Sequence, residues 1–395
     1  MDDTRGLNSW IELSESAYRQ NLSLFRRRVG PKVELSAVVK ANAYGHGAVQ
    51  IAGLAAAHGA DSFCVHALEE AQQLRDAGFQ QDVLLLGHVP RRRLGDVVAG
   101  DFRLVLFDVE TARSFAEAAR SQGRRGRVHL KLETGTHRQG LGGEDLGALL
   151  DTLGGLPDLE VEGAYTHFAN VEDTTDHRYA HAQLERFRSA LDRVREAGFA
   201  PTRRHAACSA AALVLGDSIF EMVRLGIGQY GHWSSKETLL SFRDRQDVEG
   251  TQSLRPVLTW KARISQVKTV PADAFVGYGC TYQTTRPTRL AILPVGYSDG
   301  YPRSVSNAGH VLIHGRRAPV RGRVCMNLIL VDVTDIPGVA VEDVAVLIGT
   351  QGDQEVPAER VADWAGTIQY EILAGLGRHL PRFVVPETAV EGGSE

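Results

Sequence analysis

Lys40 ends the short apolar run AVV and enters a glycine-punctuated loop, KANAYGHG, that also carries Tyr44 and His46. An apolar run of this kind reads as a buried parallel strand, and Gly45 and Gly47 behind it mark a tight loop where backbone closely approaches something. A lysine shielded from water at such a strand end has its pKa lowered and becomes a nucleophile toward carbonyl carbon, which is the chemistry of Schiff-base formation. Alone, a lysine at a strand end is more often a solvated surface group, so the reading turns on whether matching groups recur.

They do recur. Lys131 and Arg138 flank a turn in KLETGTHRQG, His167 follows an apolar run in THFAN, His205 and Ser209 lie in HAACSA, and Arg224 stands in VRLGIGQYG. Ser209 before an apolar helical run reads as a helix N-cap, and a helix N-terminus with a serine is also a ready phosphate site. Gly226 and Ile227 either offer backbone N–H groups to the same anion or make only a tight turn. Towards the C-terminus FVGYGCTYQT sets Tyr278 between two glycines, and Tyr297, Met326 and Tyr370 stand in LPVGYSDGYPR, RVCMNL and GTIQYE. By spacing alone Tyr278 is an amphipathic interface residue and Met326 a core filler.

The elements that must position these groups follow from periodicity. Short β-branched runs at 34–39, 61–65, 83–86, 104–107, 128–132, 161–166, 204–207 and 222–225 alternate with amphipathic stretches at 68–77, 109–119 and 181–197. Eight strands with helices between them predict a (β/α)8 TIM barrel over residues 1–250, whose active site faces the C-terminal ends of the strands. Lys40, Lys131, His167, His205 and Arg224 all fall at such ends, and that coincidence outweighs the bland reading of each. After residue 250 strand-like runs at 257–270, 290–295, 310–313, 317–325, 329–333 and 344–348 follow without helices between them. They predict a mostly antiparallel β domain over residues 251–395, with one helix at 358–366.

Bulk properties agree with a globular enzyme. The 395 residues are 43% hydrophobic and 23% charged with a net charge of −4, which excludes a nucleic-acid-binding face and leaves phosphate recognition to local groups. Cys64, Cys208, Cys280 and Cys325 are widely spaced, so no metal site is expected and the thiols read as reduced. The acidic start MDDTRGLNSWIELSES has no secretory pattern and no run is long enough to span a membrane, so a cytoplasmic protein is expected.

AVVKANAYGHG resembles the pyridoxal-phosphate attachment motif of alanine racemases, and the likeness extends from about residue 8 to about residue 380. The resemblance implies that Lys40 carries pyridoxal 5'-phosphate and acts as the base toward the D-enantiomer. It implies that Tyr278, supplied by the other subunit of a head-to-tail homodimer with shared active sites, acts as the base toward the L-enantiomer. Tyr44, Ser209, Gly226, Ile227 and Tyr370 match the phosphate cradle. Arg138 matches the arginine at the cofactor's phenolic oxygen and the substrate carboxylate, and Lys131 the position that is often carbamylated. His167 matches the histidine that packs on the ring, Arg224 the partner of the pyridine nitrogen, and Met326 a substrate-binding position. The implied activity is interconversion of L- and D-alanine, supplying D-alanine for peptidoglycan. A tyrosine, with a free pKa of about 10, needs nearby positive charge to serve as a base, and a His167–Arg224 relay would provide it.

Some positions depart from the family pattern. Thr136 stands where Met is usual, Cys208 where Asn is common, Leu225 for a frequent Pro, Asn327 where Asp is usual and Glu172 where Asp is frequent. These changes alter polarity about the pocket and leave a broad-specificity amino-acid racemase as the nearest alternative. A pyridoxal-phosphate decarboxylase of similar architecture would pair the pyridine nitrogen with a carboxylate, which Arg224 argues against. A non-catalytic pyridoxal-phosphate-binding protein would lack the β domain that carries Tyr278.

Overall fold

The opening strand β1 (Ser9–Ser14) does not enter the barrel but joins the sheet formed late in the chain. In this computed structural model, which describes residues 4, 6–244 and 253–386, the barrel strands are β2 (Glu34–Val38), β3 (Ser62–Val65), β4 (Asp82–Leu85), β5 (Arg103–Leu106), β6 (Gly126–Lys131), β7 (Leu159–Tyr165), β8 (Arg203–His205) and β9 (Met222–Leu225). They form one parallel sheet in the order β8-β7-β6-β5-β4-β3-β2-β9. A 3.1 Å backbone bond from Arg224 N–H to Ala207 O draws its two edges together. The eight strands read from periodicity are therefore present, and helices Leu68–Asp76, Val109–Ser121 and Arg178–Glu196 lie where helical spacing placed them. Val109–Ser121 starts where the Asp108 carboxylate accepts the Thr111 N–H at 2.7 Å, a side-chain cap that satisfies one orphan donor of the first turn.

The barrel interior is polar. Barrels of this kind are usually filled by branched apolar side chains, yet here alternate strand positions carry Glu34, Ser36, Cys64, Asp82, Arg103, Arg127, His129, Lys131, Arg203, His205 and Arg224. At the end where the strands begin, Arg103 donates to Glu34 (3.1 Å), Asp82 (2.5 Å) and Glu162 (3.2 Å), and Arg203 donates to Glu34 and Glu162 at 2.8 Å each. The pairing is mutual, so no buried charge is stranded, and removal of one partner would cost far more than the cluster contributes.

The remaining strands are β10 (Leu258–Arg263), β11 (Gln266–Val270), β12 (Thr288–Leu293), β13 (His310–Ile313), β14 (Arg316–Pro319), β15 (Ile329–Asp332), β16 (Val344–Gln351), β17 (Gln354–Val356) and β18 (Arg382–Val385). One sheet runs β14-β13-β16-β10-β1-β18 with β17 against β16, and a second runs β11-β12-β15. All their pairings are antiparallel except β1 with β18, so the antiparallel β domain is present. The run 257–270, read as one strand, is two. Between them Ile264 N–H bonds to Asp343 O and Ser265 N–H to Ile292 O, each at 2.9 Å, as the chain passes from one sheet to the other. The run 317–325 is a strand only as far as Pro319; beyond it Val320 N–H bonds to Gly309 O at 2.9 Å and Arg321 N–H to Leu330 O at 2.8 Å, as the chain leaves β13 for β15.

The chain forms two compact units. One comprises Ala17–Ala41 and Ile51–Arg255, and the other takes the chain as far as Ser16, Asn42–Gln50 and everything from Pro256 onward. The boundary expected between residues 250 and 251 lies outside the described residues. No described helix is long and apolar enough to cross a membrane.

Candidate active site at the barrel strand ends

Beyond β2 and Lys40 the backbone turns left-handed. Ala41, Asn42, Ala43 and Tyr44 have φ of 53°, 56°, 53° and 53°, a conformation that costs an L-residue roughly 1–2 kcal/mol each. Such strain persists only where the surroundings enforce it. The Ala41 N–H is held by Glu70 Oε1 at 2.6 Å, while the other carboxylate oxygen accepts His66 N–H (2.8 Å) and Ala67 N–H (3.1 Å). Asn42 O accepts Gly47 N–H (2.9 Å) and Asn42 Oδ1 accepts Ala48 N–H (3.0 Å). His46 Nδ1 lies 3.1 Å from the carbonyl oxygens of both Ala43 and Tyr44. Gly45, at φ +82°, leaves no room for a side chain, since a Cβ there would lie 1.8 Å from Leu373 O. The tight loop expected after Lys40 therefore takes the form of a braced left-handed turn.

In the barrel unit the strand ends bring cations together. The Lys40 amine is held below the ordinary lysine value by burial first and then by Arg138 and Arg224. Lys131 is pushed down to about 8 by burial, with Arg138 and Arg224 again adding. Its Nζ donates to Gln139 Oε1 at 3.3 Å and lies 5.7 Å from the Tyr165 ring centre. Lys131, Thr136, Arg138, Gln139, Thr166 and His167 line one small pocket. Among the described residues Arg138 has neither an ion pair nor a hydrogen bond, which leaves its five donors for a ligand oxyanion. His167 is fixed through its backbone, whose carbonyl accepts Thr136 Oγ1 (2.6 Å) and Gln183 Nε2 (3.3 Å).

Arg224 is 4% exposed and spends its donors on neutral acceptors: Thr166 O at 2.9 Å, Ala206 O at 3.2 Å and His205 Nδ1 at 2.5 Å. Its Nη2 is also 3.4 Å from His167 Nδ1, which places the two residues proposed as a relay side by side. Tyr165 lies beneath, 4.9 Å from the guanidinium carbon, and stacks on His205 at 4.8 Å.

Ser209 begins the helix Ser209–Val214, and its Oγ accepts the N–H groups of Gly226 (2.9 Å) and Gly228 (3.2 Å). That hydroxyl ties the helix start to the loop after β9. Ile227, the first residue of a 3-10 turn Ile227–Tyr230, has an N–H outside the turn's own ladder. Ser209, Gly226 and Ile227 are thus adjacent, as an anion cradle requires. The Cys208 thiol beside them is raised to about 11 by burial and is no nucleophile at neutral pH.

In the β unit Tyr278 stands 73% exposed in a short turn between Gly277 and Gly279, whose φ values are 74° and 72°. Tyr278, Tyr297, Arg303, Arg323, Met326 and Asn327 line a common surface pocket. Leu328 lines the same pocket and is exposed, as is Met326. Tyr44 and Tyr370 meet with ring centres 6.1 Å apart.

Three residues about the cation cluster were not singled out from the sequence: His129, Glu162 and Tyr165. The available signal was polar residues at every second place in strands otherwise apolar, as in GRVHLK. Burial holds His129, His167 and His205 below the ordinary histidine value of 6.5, and the neighbouring arginines add to this. Below pH 6.5 the unfolded chain therefore takes up protons that the folded one refuses, so stability falls as pH falls through that window. Urea midpoints should decline steadily between about pH 7 and about pH 5, and a flat profile would contradict the neutral assignment.

The family model described as "Alanine racemase, N-terminal domain" matches residues 13–233, and "Alanine racemase, C-terminal domain" matches residues 257–384. An alanine racemase of Desulforamulus reducens is 41% identical, over 95% of this chain and 98% of that protein. The solved alanine racemase of Clostridium difficile 630 superposes with a TM-score of 0.89 at 31% identity, covering 97% of each chain. A histidine racemase of Leuconostoc mesenteroides subsp. sake superposes with a TM-score of 0.86 at 28% identity, covering 96% of this chain and 99% of that one.

Proposed function

The chain belongs to the alanine racemase family, and from that premise we propose that it interconverts L- and D-alanine using pyridoxal phosphate held at the barrel strand ends. The observation that carries the reading is Lys40, an amine of lowered pKa at the mouth of the barrel with Arg138 and Arg224 acting on it. The residues present fit the cofactor: an amine suited to its aldehyde, an unpaired Arg138 suited to its phenolic oxygen, and the Ser209–Gly226–Ile227 cradle suited to its phosphate, with Tyr44 and Tyr370 assigned to the same cradle.

When bound, pyridoxal phosphate supplies an electron sink that makes the α-hydrogen of an attached amino acid acidic. The chain supplies the rest. Lys40 Nζ anchors the cofactor, then takes or returns the α-proton on one face of the substrate. The hydroxyl of the partner subunit's Tyr278 does the same on the other face, so the active form is a head-to-tail homodimer. Arg138 binds the substrate carboxylate, Met326 borders the substrate, and His167 packs against the cofactor ring. Arg224, which stays protonated, would donate to the pyridine nitrogen, and a donor there in place of a proton would weaken the electron sink and so restrain side reactions. The protein works in the cytoplasm, and its D-alanine serves peptidoglycan assembly.

Lys131, with its pKa lowered to about 8, offers an uncharged amine to carbon dioxide, and the carbamate formed would give Arg138 an anionic neighbour. Carbon-13-labelled bicarbonate should produce a carbamate resonance that is absent from Lys131→Met; the same resonance in that variant would reject the assignment.

A broader substrate range is the second reading. The fold match to a histidine racemase supports it, together with Thr136 and Asn327 at positions where the family usually has Met and Asp. Borohydride reduction followed by a chiral assay across L-alanine, L-serine, L-histidine and basic amino acids tests both readings. Cofactor fixed on Lys40 with fastest turnover of alanine is the expected result. Fixed cofactor with faster turnover of another amino acid would replace alanine as the substrate, and no fixed cofactor would overturn the proposal.

A further inference from the structure

Arg224 is buried and, among the described residues, pairs with no carboxylate. What holds it can be followed away from the site. A guanidinium only donates, so His205 Nδ1, 2.5 Å from Arg224 Nη1, must present its lone pair. Since His205 is neutral, its proton is on Nε2, which lies 2.8 Å from His129 Nδ1. That nitrogen must in turn accept, which puts the proton of His129 on Nε2, 3.3 Å from Glu162 Oε2. Although burial opposes it, Glu162 is held down to about 2 by the His129 hydrogen bond and by Arg103 and Arg203, so the chain ends on an ionised carboxylate. Every link follows from the one before, and both imidazoles are fully buried.

The strands also yield to this arrangement. The β6–β7 register shifts between Val128 and His129, bringing Gly163 opposite His129. A Cβ on residue 163 would lie 2.3 Å from His129 Nδ1, so glycine there is what admits the ring.

We propose that Glu162, acting through His129 and His205, positions Arg224: a one-directional hydrogen-bond chain keeps His205 an acceptor and so keeps the guanidinium aimed at the cofactor's pyridine side. This rests on the assignment of Arg224 to the cofactor ring. With the chain cut at His129, the His205 ring loses the acceptor for its Nε2–H and gains freedom to present Nδ1–H to Arg224, N–H against N–H, which would displace the guanidinium. His129 and Glu162 are positioning residues, since neither touches the reacting atoms.

The test is a long-range 1H–15N spectrum of the histidine-labelled holoenzyme, read beside the kinetics of His129→Phe and His129→Asn. Both rings should be neutral with the proton on Nε2. His129→Phe should keep its cofactor, shift the His205 resonances and lower kcat about tenfold or more with little change in KM, as loss of an outer hydrogen-bond partner does elsewhere. His129→Asn, which still offers an oxygen near the place of Nδ1, should recover part of that loss. Either ring protonated on Nδ1 or charged in the unaltered protein, or a folded His129→Phe with unchanged kcat, would overturn the proposal. The spectrum of the unaltered protein decides the matter even if the variants do not fold. A protein that shows these tautomers but binds no pyridoxal phosphate would sink the functional reading and leave the hydrogen-bond chain standing.

Discussion

Lys40→Ala should leave a folded protein with no measurable racemisation and no cofactor that borohydride can fix. The catalytic loss has two sources: the anchoring amine goes, and with it the base on one face of the substrate, a role that by itself is typically worth about 10²–10⁴-fold. Stability should move the other way. The folded Lys40 pKa lies below its ordinary value of 10.5, so between the two values the unfolded chain binds more protons and folding is penalised at neutral pH. Removing the ammonium lifts that penalty, and the melting temperature of Lys40→Ala at neutral pH should be equal to or above that of the unaltered protein stripped of its cofactor, a trade of stability against function common at active sites. The cofactor-loaded protein, stabilised by its bound ligand, should melt above both. A small exogenous amine should restore part of the proton transfer but not the attachment. Cofactor still fixed by borohydride in Lys40→Ala would place the attachment elsewhere and remove the basis of the mechanism.

Much of this arrangement could be read from the chain because each part answered a local rule. The eight barrel strands were legible because their apolar runs are short, bounded and separated by helical periodicity, and once the barrel was in hand its C-terminal ends pointed to Lys40, Lys131, His167, His205 and Arg224. The β region was read less well for an equally physical reason. Run 257–270 has no glycine or proline to mark the change of sheet at Ile264 and Ser265, because the break is made by hydrogen bonds to Asp343 and Ile292, far along the chain. The strand Ser9–Ser14 was missed because its partners lie some 250 and 370 residues away. His129 and Glu162 were missed because a polar residue in a strand interior gives no sign of what it faces. Their meaning appears only when the barrel brings β6, β7 and β8 side by side. The left-handed turn at Ala41–Tyr44 was hidden for another reason, since none of its four residues is glycine and sequence rules place such residues at negative φ.

Tyr278→Phe should bind cofactor normally and lose about 10²–10⁴-fold in racemisation, the usual contribution of a positioned acid–base group. The substitution removes one oxygen from a side chain that is 73% exposed, so neither fold nor stability should change. The sharper result comes from combination. If the hydroxyl serves the site of the neighbouring subunit, neither Tyr278→Phe nor Lys40→Ala alone has an intact site, but a hybrid dimer has one: Lys40 from the first variant with Tyr278 from the second. Random assortment of two co-expressed variants makes half the dimers hybrid with one working site of two, so activity should return to about a quarter of the unaltered level. Were each subunit to use its own tyrosine, every site in every combination would lack one base and the mixture would stay as inactive as its parents. Differently tagged copies, purified through both tags in turn, isolate the hybrid and raise the expected recovery to about half. Recovery ties the exposed tyrosine and the dimer into one catalytic unit, whereas its absence would confine catalysis to the single chain.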